Sequence, residues 1–194
     1  MNSPPHRGGF FNSGMIVRRA SIADVEAVME LAKEIPMAAQ WSYGQYETNF
    51  AVVQQTDTRA QALFVACASE RHDTISGREK IVGFAAFSAI PHVGGGECEL
   101  ENMAVAESWR RRGIALRMLA AGLLWCRAWC PADPHDAPPN YGLSLEVRSS
   151  NVSAIAFYGL AGFKENGRRP AYYRQPDDDA ILMWKSLNSL FETR

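Results

Sequence analysis

The run Arg110-Arg111-Arg112-Gly113-Ile114-Ala115 carries the sharpest chemical signal in the chain. It follows a stretch with strand character and opens an apolar stretch with helical spacing. Consecutive arginines and a glycine at a helix start combine free backbone N–H groups, a positive helix end and mobile cations. Such a site binds anions, and a pyrophosphate is its natural occupant. Gly113 and the small Ala115 let the backbone approach closely. The segment is neither a GxxxxGK[ST] loop nor a GxGxxG fingerprint. On charge pattern alone it fits equally a solvated basic helix start or a nucleic-acid patch.

Two further groups of residues have chemical potential. Glu97, Glu99 and Glu101 alternate with Cys98, Leu100 and Asn102, which marks a strand over 97–105. Leu143, Leu145 and Val147 alternate with Ser144, Glu146 and Arg148, which marks another. Asn151 is a good helix cap, and Ala154, Ile155, Phe157, Tyr158 and Leu160 follow at helical spacing to a closing Gly162. His6, His72, His92 and His135 fall in predicted tail or loops without metal-ligand spacing. Cys126 and Cys130 lack a nearby His or Cys partner, so buried thiols are expected rather than zinc. No metal is expected.

The elements that position these residues form a mixed pattern. Residues 1–14 are rich in Pro, Gly, Ser and Asn and read as a flexible tail before a strand at 15–19. Ser21 and Asp24 start a helix whose stripe, Ile22, Val25, Val28, Met29 and Leu31-Ala32, runs to Ile35 before Pro36 stops it. Trp41-Ser42 opens a second helix with Tyr46, Phe50 and Val53 in register. Residues 62–68 and 81–90 read as apolar strands joined by a polar hairpin loop, 71–80. Pro91–Gly96 reads as a turn. Residues 112–128 give the strongest helix signal, apolar nearly all round after Arg117 and expected to be largely buried. The four prolines of 130–140 demand a loop. A final strand pair, 163–169 and 180–187, flanks a Pro/Tyr/Asp-rich loop.

Composition narrows the class. With 194 residues, 47% apolar and 21% charged, the chain suits one globular domain. Lys plus Arg is 20 and Asp plus Glu 21, so no global field draws it to nucleic acid or an anionic membrane. No apolar run reaches the roughly 18 residues of a membrane span, and no secretory signal is evident. Four scattered cysteines do not make a disulfide framework. A cytoplasmic protein, monomeric or weakly dimeric, is the simplest expectation.

These residues together resemble the GNAT superfamily of acetyl-CoA-dependent N-acetyltransferases. Arg110, Gly113 and Ala115 match its [Q/R]-x-x-G-x-[G/A] motif. Leu145-Glu146-Val147-Arg148-Ser149-Ser150-Asn151, Ala154 and 157–163 resemble the signature of ribosomal-protein alanine N-acetyltransferases of RimI type. Tyr172-Tyr173, Pro176 and Asp179-Ala180 echo that group's ending. The resemblance spans about 15–187 and implies an α/β (α+β) fold. That fold is a single domain over 15–190, a mixed sheet with splayed parallel strands and helices on both faces.

The resemblance also implies roles. The backbone of Met103, Ala104 and Val105 would pair with the pantetheine arm of acetyl-CoA. Arg110, Arg111, Arg112, Gly113, Ile114, Ala115 and Leu116 would hold the pyrophosphate, and Asn151 would contact the cofactor while capping its helix. Glu146 matches the general base and Tyr158 the proton donor to the thiolate, with Glu99 and Glu101 as rival bases. Acceptor selection would fall to 41–50 and 168–179, with Trp41, Tyr43, Tyr46, Tyr172 and Tyr173 lining a slot or merely covering the sheet edge. The implied acceptor is a protein N-terminal α-amine, of a ribosomal protein or another. A small-molecule amine, or a non-catalytic acyl-CoA-binding or RNA-binding module, are the alternatives.

Overall fold

The computed structural model describes residues 14–50, 59–68, 79–92, 95–132 and 141–188. The tail at 1–13, Val53, most of the 71–80 loop and the Pro-rich 133–140 stretch lie outside the described residues. Seven strands form one sheet: β1 (Met15–Arg19), β2 (Ala60–Ala68), β3 (Lys80–His92), β4 (Gly95–Val105), β5 (Gly142–Arg148), β6 (Lys164–Arg174) and β7 (Asp177–Ser186). Their order is β1-β2-β3-β4-β5-β7-β6. Every neighbouring pair is antiparallel except β4 and β5, which are parallel. The helices are α1 (Val25–Lys33), α2 (Tyr43–Glu47), α3 (Ile114–Trp129) and α4 (Val152–Leu160).

Helices on both faces explain the composition of the central strands. β2 and β3 are apolar without alternation because both of their faces are covered. On one face, Val25, Val28 and Leu31 of α1 meet Leu63, Val65, Phe84 and Ala104. On the other, Ile114, Met118, Leu119 and Leu123 of α3 meet Ala66, Phe87 and Leu100, and the same core takes in Leu145 and Tyr158. A side chain at Gly122 would collide with the Phe87 ring, so α3 lies close against β3 there. Among the described residues no helix is long and apolar enough to cross a membrane.

Four expectations about the elements change. The long helix begins at Ile114, so Arg112 and Gly113 precede it. It is also one-faced: Leu116 and Leu124 are 56% and 67% exposed, because the sheet covers a single stripe of its apolar surface. The turn expected at 91–96 is mostly strand, since Pro91 pairs with Gly96 and His92 with Gly95. The aromatic loop expected at 170–179 is the body of a β-hairpin, with Tyr173 paired to Asp178 and Arg174 to Asp177.

A bulge in β4 redirects its side chains. Phe87 faces Leu100 and Ala86 faces Asn102, which leaves Glu101 as the extra residue. Leu100 therefore enters the α3-side core, whereas Ala104 enters the α1-side core. Asn102, 6% exposed, turns toward the segment between α1 and α2. Its amide donates to the Ala39 carbonyl at 2.9 Å and accepts from the Ala39 N–H at 3.3 Å. The Gln40 amide meanwhile donates to the carbonyls of Ala32 and Ala38, closing the end of α1. Side-chain amides thus order a segment that has no regular structure.

Replacing Asn102 by leucine keeps the branched heavy-atom shape and removes both bonds. The two Ala39 groups then lose their partners, at a cost of about 2 kcal/mol. Urea unfolding should show that loss, and an unchanged midpoint would contradict this role.

Candidate active site

The parallel ladder between β4 and β5 is short. It joins Glu97 to Gly142, Cys98 to Leu143, Glu99 to Ser144 and Leu100 to Leu145, and then stops. β4 nevertheless runs on to Val105, paired with β3 as far as Gly83. β5 runs on to Arg148, paired with β7 as far as Ala180. The two strands therefore part in the middle of the sheet, and residues 101–105 and 146–148 face a gap. Backbone polar groups on such an edge need a partner. Among them, the Val105 carbonyl accepts from Arg110 Nε at 3.1 Å.

Parallel neighbours end at the same sheet edge. The turn after β4 leads into α3 and the turn after β5 leads into α4, so both helix starts flank the gap. At the first, Gly113 is the N-cap with φ +75°, and no side chain caps the helix. Nothing lies within 4 Å of where a Gly113 side chain would begin. Among the described residues no side chain bonds to the opening N–H groups of this 16-residue helix. Arg110, Arg111, Arg112 and Gly113 are exposed around them. Arg111 has φ +62°, a left-handed conformation that is uncommon for arginine. Arg112 stacks on Trp109 at 4.6 Å and donates to the Ser108 carbonyl at 3.1 Å. Ile114 itself is buried in the α3-side core, so its contribution at the crown is backbone only.

At the second helix start, the Asn151 side chain accepts from Ala154 N at 3.2 Å and from Ser153 Oγ at 3.1 Å. The cap expected of it is therefore present. The Ser149-Ser150 turn before it is tied to β7: Asp178 accepts from both hydroxyls, at 2.5 and 2.6 Å, and from Ser150 N at 3.2 Å. These bonds, Ser149 first, hold the Asp178 carboxyl far below the usual range.

Carboxylates gather on the other side of the gap. Glu99 lies near both Glu101 and Glu146, and Arg59 and Arg169 supply opposing charge. Glu101 pairs with Arg59 through one oxygen, while its other oxygen is buried without a partner. Glu146 Oε1 forms an ion pair with Arg169 at 2.8 Å, and Tyr172 lies beside this carboxylate, which pushes the phenol up. A pocket lined by Arg59, Ser88, Glu97, Glu99 and Ser144 opens beside the first three ladder pairs. Among the described residues no group of His, Cys, Asp or Glu is arranged to hold a metal.

Tyr158 lies in the α3-side core, 7% exposed, between the rings of Phe157 and Phe163. Burial, with nearby Tyr173 adding to it, pushes its phenol well above the ordinary tyrosine value. Of the aromatics expected to line an acceptor slot, Tyr46 is fully buried against Phe84 and Trp41 and serves the core. Tyr43 and Tyr172 are exposed.

A profile of the acetyltransferase (GNAT) family matches residues 26–163, well over half of the chain. The chain belongs to the GNAT family. A GNAT relative from Salmonella typhimurium, a [ribosomal protein bS18]-alanine N-acetyltransferase, is 41% identical over 101 residues, 51% of this chain and 62% of the relative. The chain spans between about a quarter and three-fifths of the curated relatives it matches first. The crystal structure of the Escherichia coli ribosomal-protein-S18-alanine N-acetyltransferase superposes with a TM-score of 0.60 at 22% identity, covering 93% of this chain and 98% of that one. Arabidopsis thaliana NAA60 in complex with acetyl-CoA gives 0.66 at 18%, covering 88% and 97%. At these identities the two structures establish the GNAT fold.

Within this GNAT domain, Arg169 and Asp178 escaped sequence reasoning. Arg169 ends a stretch read as a strand and Asp178 lies in the stretch read as a loop, where the Asp-rich run 177–179 was the only signal for it. Glu99 has the most perturbed environment of the three carboxylates. Burial first, and then Glu101 and Glu146, raise its carboxyl above the usual range, against Arg59 and Arg169. The folded protein thus favours protonated Glu99. Its contribution is complete below the unfolded pKa of about 4.3 and is lost as pH rises through the higher folded value. Glu99→Gln should raise Tm at pH 7 and leave it unchanged at pH 4. An equal change at both pH values would contradict this.

Proposed function

We propose that this chain transfers the acetyl group of acetyl-CoA to an amine, with a protein N-terminal α-amine as acceptor, by direct attack in a ternary complex. The observation that carries the reading is the parting of β4 and β5 beside an uncapped, open α3 start. The residues present fit the cofactor. Free N–H groups and three arginines suit a pyrophosphate, and the unpaired edge at 101–105 suits the amides of a pantetheine arm. Bound acetyl-CoA supplies an activated thioester carbonyl; the remaining demands fall on the protein.

An ammonium cannot attack, so a base must take its proton. Glu146 fills this role, at the β5 edge where the gap opens. Arg169 and Tyr172 hold its carboxylate in place. Glu101 offers a second acceptor, since its partnerless buried oxygen would gain a bond from an entering amine. An α-amine near pKa 7.8 is easier to deprotonate at neutral pH than a lysine near 10.4, by roughly 3.5 kcal/mol. A modest carboxylate base therefore suits an N-terminal acceptor. The hairpin tip and the 36–43 segment, with exposed Met37, Tyr43 and Tyr172, provide apolar walls for such a chain end.

Tyr158 keeps its proton across the neutral range because it is buried, so a proton is present for the departing thiolate. The cysteines do not suit acyl-enzyme chemistry. All four are buried, and burial pushes the Cys67 thiol up to about 11. The 41% identity to an enzyme named for alanine at the start of a ribosomal protein supports an N-terminal acceptor of that kind.

Mass spectrometry of a peptide library incubated with protein and acetyl-CoA tests the reading. Modified α-amines are expected; modification confined to lysine side chains would contradict the acceptor. Glu146→Gln and Tyr158→Phe should each lower kcat about 100-fold with acetyl-CoA affinity unchanged. Full turnover in both would remove them from these roles.

A further inference from the structure

The β6–β7 hairpin carries two adjacent carboxylates that face different parts of the gap. Arg169 pairs with Ala180 and Tyr173 with Asp178, so Pro170, Ala171 and Tyr172 stand opposite Asp179 alone. This outsized bulge forces Ala171 to φ +48°, a conformation that opposes an alanine side chain. Asp179 holds it: Oδ1 accepts from Ala171 N at 2.8 Å and Oδ2 from Arg168 Nε at 2.9 Å. The bulge is what brings Arg169 and Tyr172 onto Glu146. Asp178 works on the other side. It holds the Ser149-Ser150 turn that leads into the Asn151 cap and α4. Arg148 reinforces that link by donating to the Gln175 and Pro176 carbonyls and stacking on Tyr173.

We propose that Asp178 and Asp179 are positioning residues with divided tasks, Asp179 shaping the acceptor wall and Asp178 fixing the helix start on the cofactor side. This rests on the acetyl-transfer reading above. Neither carboxylate touches a reacting atom. Each acts through neighbours, Asp179 through Arg169 and Tyr172, and Asp178 through Ser149, Ser150 and Asn151. A purely structural carboxylate would affect both substrates alike, whereas divided tasks affect them separately.

The test compares Asp178→Asn, Asp179→Asn and the double variant Ser149→Ala/Ser150→Ala in the full chain. Acetyl-CoA affinity is read by calorimetry, without turnover. Acceptor KM is read with the best amine that the wild type accepts, and thermal melts select an assay temperature at which every variant is folded. Asp179→Asn should raise acceptor KM at least fivefold and leave acetyl-CoA Kd within twofold. Asp178→Asn should do the reverse, and the serine double variant should copy it. Parallel changes in both constants, or no change in either, would overturn the proposal. Failure of the acetyl-transfer reading shows instead in the wild type, as acetyl-CoA that neither binds nor reacts.

Discussion

A parallel pair of strands that stops pairing after four rungs dominates this molecule. In a sheet otherwise laddered edge to edge, the parting of β4 and β5 exposes main-chain polar groups on two strands at once. Water fills such a slot poorly when apolar cores close both faces, and a ligand with amides along its length fills it well. The bulge at Glu101 lies where the ladder ends. It turns Asn102 onto the segment between α1 and α2, so one irregularity marks the end of the ladder and orders a neighbouring segment.

Charge is divided across this slot. On the α3 side stand free N–H groups, three arginines and no carboxylate bonded to them among the described residues. On the sheet side stand Glu99, Glu101 and Glu146, partly balanced by Arg59 and Arg169. The two sides of the slot thus carry opposite charge. The near-neutral net charge of −1 conceals this polarity. The hairpin β6–β7 closes the arrangement, because its bulge supplies the cation and the phenol that hold Glu146.

Much of this was legible in the residues. The Arg110–Ala115 run suggested a helix opening, and α3 does open there with Gly113 as a left-handed cap. Strand alternation located Glu146, and Asn151 is the cap its type suggests. The bulge was not legible, because Glu97 to Asn102 alternates perfectly and only cross-strand pairing shows the extra residue. The hairpin was hidden for a related reason: Pro170, Tyr172 and Pro176 look like loop composition, yet the edge position of β6 tolerates the first two and Pro176 sits in the turn before β7. The apolar outer face of α3 suggested full burial, but the sheet has only one layer to give it. Arg169 carried no local mark at all, since its partner Glu146 is distant in sequence.

Hydrogen–deuterium exchange with and without acetyl-CoA tests the central claim most directly, since it reads backbone amides rather than turnover. Binding should slow exchange at 101–105 and at 112–116, leaving β1 and β2 unchanged. Protection elsewhere, with those two segments exchanging as freely as before, would contradict the account.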